Sequence, residues 1–161
     1  MNKRCALLVS LCSISLTACS TKQLVDFSII QQSNQCHIPA QAISLLSSEK
    51  QQTEFIEKFS LFKAPEASQE LNALFTHHTD FETLFIVSQG AKPTAGYGFN
   101  VHGNQAELFN NTLLFPIKFT SPNQDAYLAQ VMTSPCLVLG VDSSADYNAV
   151  VVDHLELTLP Q

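Results

Sequence analysis

Basic side chains are scarce in this sequence of 161 residues, and Arg4 is its only arginine. Without arginine there is no planar fork for bidentate phosphate recognition, and a basic nucleic-acid footprint is missing as well. Nucleic acid and anionic lipid surfaces are therefore not expected as partners. Charged residues make up 14% of the chain against 45% apolar ones, which excludes the high-charge, low-hydrophobicity signature of disorder. The length is close to one domain's worth of polypeptide, so a single compact core is expected. Compact catalytic motifs are lacking too: there is no G-x-S-x-G, no P-loop, no H-E-x-x-H and no C-x-x-C. An enzyme is not expected, and no catalytic residue, metal ligand or cofactor is assigned. His77 and His78 differ by about 100° around a helix axis, so they cannot share one metal and read as solvated helix-end residues. His102 and His154 stand singly on predicted strands.

The longest apolar run near the N-terminus, Ala6 to Leu16, is too short for a spanning helix, which needs about 20 residues. It follows Lys3 and Arg4 and precedes the small residues Thr17 and Ala18, the layout of a secretory signal peptide over residues 1–18. The segment Leu16, Thr17, Ala18, Cys19 resembles the lipobox of bacterial lipoproteins. That resemblance implies cleavage before Cys19 and a lipid on its sulfur, with several acyl chains anchoring the protein at roughly 0.8 kcal/mol per buried CH₂. Ser20 is not the aspartate of the family's inner-membrane retention rule, so the resemblance implies the outer membrane, periplasmic side. Without Lys3 and Arg4, six bases face fourteen acids.

Cys5 and Cys12 would leave with the signal, and Cys36 and Cys136 would remain in an oxidising compartment. A disulfide between them is expected. It would close a loop of about 100 residues, for which the chain-entropy account gives about 4.7 kcal/mol. The alternative is two buried thiols packing as small hydrophobes. A reactive thiol is set aside, because His37 beside Cys36 is a chain neighbour and no orienting partner is evident.

Residues 19–25 read as a lipidated tether and 26–161 as the domain. Val25, Phe27 and Ile29 alternate as a strand, as does Ala42 to Leu46. Ser48 with Gln51 fits a capping box opening a helix through Phe55, Ile56, Phe59 and Phe62, and Ser68 opens a shorter one with Leu71, Leu74 and Phe75. From Phe81 the period becomes two, predicting strands at 84–87, 97–102, 106–109, 113–120, 128–133, 137–141 and 150–159, the last bulged near Asp153. The expected fold is α+β: a single domain with a twisted, mainly antiparallel sheet and one or two helices from the N-terminal half packed on one face.

The stretch from Gly90 to Tyr97 is the most constrained in the chain. Pro93 fixes its own φ and pushes Lys92 toward extended geometry, Gly96 can take positive φ, and Tyr97 offers a flat ring with a polar tip. A stiff loop loses little entropy on docking, which suits protein recognition, so Lys92, Pro93, Thr94, Gly96 and Tyr97 form the candidate binding loop. Its alternative is a hairpin connection that serves backbone geometry alone. The run GAKPTAGYGFNV, followed by AQVMTSPCLVLGVD, resembles the C-terminal domain of the PrcB family, most firmly over residues 80–142, with Asp80-Phe81 before its first strand. The resemblance implies a non-catalytic lipoprotein subunit that stabilises or positions a protein partner of the exported-protease class. The sequence departs from the family pattern at Ala95 and Cys136. Pro93, Thr94, Ala95, Gly96 and Tyr97 also resemble the N-P-T-T-G-[YF] loop of chagasin-like cysteine-protease inhibitors, which are all-β and carry G-x-G-G and R-P-[WF] loops that are missing here.

Overall fold

The computed structural model describes residues 22–46, 48–60, 83–123, 125–141 and 144–160. The signal segment, Cys19, the predicted second helix at 68–75, His77, His78 and Asp80-Phe81 lie outside them. Among the described residues the elements are β1 (Gln23–Ser33), β2 (Gln41–Leu46), α1 (Glu49–Ser60), β3 (Thr83–Gln89), β4 (Gly98–Val101) and β5 (Gln105–Phe109). There follow β6 (Thr112–Phe115), β7 (Ile117–Thr120), β8 (Cys136–Val141), β9 (Ala149–Val152) and β10 (Leu155–Thr158).

Eight strands form one sheet in the order β10-β9-β6-β5-β1-β8-β3-β2, while β4 and β7 pair as a separate ribbon. All pairings are antiparallel except β6 with β9. The outer strands β10 and β2 approach each other, and Gln41 at the start of β2 lies 2.8 Å from His154, which immediately precedes β10. The sheet thus curls into a near-barrel. This corrects the α+β expectation: the fold is mainly β, with α1 the one helix among the described residues. Ser48 caps α1 as predicted, accepting a hydrogen bond from Gln51 N at 3.3 Å.

Alternation along each strand divides the apolar side chains between two cores. Val25, Phe27, Phe85, Val87, Leu113, Phe115, Leu137, Leu139, Val150 and Val152 fill the inside of the curl. Leu84, Ile86, Cys136 and Val138 point to the other side, where Phe55 of α1 covers them. Strands β3 and β8 are therefore buried on both faces, which is why they read as continuous apolar runs. Phe99, Val101 and Phe119 of the ribbon pack against the inner core, so β4 and β7 lie on it.

Four local expectations are corrected. The predicted strand 113–120 breaks at Pro116, which cannot donate to a ladder; its carbonyl instead accepts from His102 N at 2.8 Å. The predicted strand 150–159 is a hairpin, and its phase slip is the turn Asp153-His154, with Asp153 at φ 57°; the bulge lies in β1, between Ile29 and Gln31. Residues 128–133 form no strand: the pairing begun at Lys92 and Thr133 meets Pro93, which has no N–H to extend it. Finally, β1 starts at Gln23, within the segment read as tether, and buries Val25.

Cys36 and Cys136 are bonded as a disulfide, with Cα atoms 6.0 Å apart and both residues buried. The bond joins the segment after β1 to the start of β8.

Candidate functional site

Loop 90–97 leaves the end of β3 and enters β4. Gly90 takes φ 75°, and a Cβ there would stand 2.9 Å from both Pro39 O and Gln41 N, so the position admits glycine alone without a backbone shift. Gly96 takes φ 93°, where a Cβ would stand 2.9 Å from Pro122 Cβ. Backbone bonds tie the loop along its length: Ala91 N donates to Pro39 O at 3.1 Å, Lys92 N to Thr133 O at 2.7 Å, Thr133 N to Lys92 O at 2.9 Å, and Ala95 N to Ala129 O at 3.1 Å. Thr133 Oγ1 donates to Thr94 O at 3.0 Å, and the buried Gln89 side chain donates to Gly98 O at the loop's exit. The stiffness inferred from Pro93 and Gly96 is thus reinforced by segment 129–134.

The predicted residues come together on this frame. Lys92 Nζ sits 5.3 Å above the Tyr97 ring centroid, a cation–π contact. Both residues are half-buried and line a shallow cleft of ≈ 250 Å³ with Gln41, Gln89, Phe119 and His154. Pro93 is exposed, and Thr94 is half-buried and anchored through its carbonyl. Gln41 and Gln89 escape sequence reasoning, and His154, single on its predicted strand, carries no sign there of joining them. Gln41 and His154 are 113 residues apart in the chain and meet only because the sheet curls. The Thr133-Ser134-Pro135 turn does carry a signal, the T-S-P motif, and it is the segment that holds the loop.

Asp153 links two residues that line the cleft, Phe119 and His154, to Lys118. Its carboxylate accepts from Lys118 Nζ at 3.0 Å and from Phe119 N at 3.3 Å, and it faces His154 Nδ1 at 3.3 Å. The Lys118 bond foremost, with the Phe119 and His154 bonds, holds its pKa below the ordinary value of 3.8 against the opposing effect of desolvation. A depressed carboxylate contributes stability above its unfolded pKa and loses it as pH falls through the lower folded value. Asp153→Asn is accordingly expected to be less stable than the parent at neutral pH, with the difference shrinking below about pH 4. Denaturant titration at neutral and acid pH checks this; a pH-independent difference would assign the loss to packing.

Among the described residues no group of three or more His, Cys, Asp or Glu is placed to hold a metal ion, and no helix is long and apolar enough to cross a membrane. Residues 83–142 match the family model described as PrcB C-terminal, in agreement with the resemblance drawn from the motifs. The matched segment runs from β3 to the end of β8 and contains both loop 90–97 and the turn that clamps it. No curated protein and no solved structure matches the chain.

Proposed function

We propose that this chain is a lipid-anchored, non-catalytic interaction module of the bacterial envelope that stabilises or positions a protein partner of the exported-protease class, docking it on loop 90–97. The supporting observation is that the PrcB C-terminal match covers the segment holding this loop and its clamp. A loop already fixed by backbone bonds loses little conformational entropy when a partner docks, so its side chains are presented at low cost. Tyr97 is the anchor, and Lys92 supplies the charge above its ring. The anchor at Cys19 and the outer-membrane location rest on the lipobox resemblance.

Interface anchors such as tyrosine often cost 2 kcal/mol or more on truncation, roughly thirtyfold in affinity, while lysine is depleted at interface cores and rarely serves as an anchor. Tyr97→Ala is expected to weaken affinity capture of the partner from detergent-solubilised envelopes most, and Lys92→Ala only modestly. Melting temperatures are measured alongside. Lower thermal stability with unchanged capture would assign the loop to the fold and remove it as a binding site.

The mainly β architecture also favours a second reading, inhibition of papain-like proteases through Pro93 to Tyr97. Papain inhibition that disappears in Tyr97→Ala would carry that reading instead.

A further inference from the structure

Strand β1 sets the polarity of the molecule. Its first residues pair with the end of β5, Gln23 opposite Leu108, beside the turn Asn110-Asn111. Its last residue, Ser33, pairs with Cys136, next to the bridges Gln35–Ser134 and Lys92–Thr133. The 11 residues between these ends span ~35 Å. Loop 90–97 therefore stands at the pole opposite the one where the described chain begins. Cys19 lies three residues before Lys22, a reach of at most ~10 Å.

The outer wall at the N-terminal pole exposes two large apolar side chains, Leu24 and Phe109, among charged ones. Leu24, Glu107, Leu114 and Val151 follow one another across β1, β5, β6 and β9 on the outward face. Phe109, diagonal to Leu24, is 47% exposed, and Leu24 is 54% exposed. The carboxylate in the middle of this row, Glu107, is paired with Lys22.

We propose that this wall rests on the phospholipid bilayer to which Cys19 is anchored, so that loop 90–97 faces away from the membrane. The proposal rests on the lipid-anchor reading of Cys19. Two large exposed apolar side chains within reach of the anchored residue can insert at the headgroup boundary without any further ordering of the chain. Asp26 and Glu156 flank the row, which suits a zwitterionic rather than an anionic surface.

The sequence contains no tryptophan, so a single one is an unambiguous reporter. Phe109→Trp and Leu24→Trp, together with Tyr127→Trp on the fully exposed strap near loop 90–97, are made in the full chain. Each lipidated protein is reconstituted in vesicles of phosphatidylethanolamine and acyl-brominated phosphatidylcholine, and flotation and the mass of the mature protein report anchoring. The expected result is quenching and a blue shift at positions 109 and 24, with emission at 127 unchanged. Floating protein with unquenched emission at both 109 and 24, or with quenching at 127, overturns the orientation alone. Protein that carries no lipid and does not float overturns the anchor and the orientation with it.

Discussion

Replacing Cys36 and Cys136 together by alanine is expected to lower the melting temperature by roughly 5–20 °C. Loss of a native disulfide costs about 2–5 kcal/mol, and a protein of this length shifts by about 2–4 °C per kcal/mol. The bond spans a sequence separation of 100 residues, near the top of the chain-entropy scale. Both sulfurs are buried beside Val138 and Phe55, so the bond is a staple within the second core rather than an exposed redox centre. The double replacement leaves neither partner of the bond behind as an unpaired buried thiol, and the two missing sulfurs add a small cavity cost. Thermal unfolding with and without reductant gives the check: reduced parent protein should move toward the variant, while the variant should not respond. A parent that melts at the same temperature in reductant would mean that the staple contributes nothing.

Gly90→Ala is expected to destabilise by about 2–4 kcal/mol, combining left-handed backbone strain with overpacking. Its new methyl group would meet Pro39 O, Gln41 N and Ala40 C, all within 3.0 Å and all backbone, so no side chain can swing aside. Gly103 makes an internal comparison. It takes φ 102° but has nothing within 4 Å of the added Cβ, so Gly103→Ala pays the backbone strain alone, about 1–2 kcal/mol. Chemical denaturation of the two variants separates the contributions. Equal losses would show that residues 39–41 yield to the methyl group. Because Pro39 also accepts the Ala91 N–H, a shift there reaches the first residues of the loop, and Gly90→Ala should raise proteolytic sensitivity around Lys92.

The legible parts of the fold were those fixed by local chemistry. Pro93, Gly96 and Gly90 mark a loop that cannot be built otherwise, and Asn110-Asn111, both at positive φ, is the two-residue hairpin turn their side chains permit. Ser48 announces α1, and the inward faces of β6 and β10 alternate as expected. The architecture was less legible. The helical spacing of the N-terminal half weighs toward α+β, but whether a sheet stays open depends on its twist and on which edges meet. Leu84 to Val87 and Leu137 to Val141 are apolar on both faces, so their period carries no sign of which side faces α1. Nor does any local signal pair Gln41 with His154, or β6 with β9 in parallel. The candidate loop was legible because its constraints are covalent. The Gln89 bond to its exit and the Asp153 contacts beside it were not, since a glutamine and an aspartate at strand ends look like ordinary solvated residues until the curl buries or pairs them.

The position of β1 also governs the order in which the molecule can assemble. It lies between β5 and β8, so the strand synthesised first among those described finds its second neighbour only after residue 136 has emerged. The β5-β6 hairpin and the β4-β7 pair that brackets it have their contacts close in sequence and can form early, whereas β1 contributes mainly distant ones, the kind that slow folding and leave unpaired edges exposed meanwhile. Truncations that end before β8 should accordingly leave an N-terminal strand with one bare edge, and such chains are expected to aggregate more readily than the full chain. By the same geometry, the arrival of β8 pairs β1 and β3 and brings Cys136 to Cys36 at once.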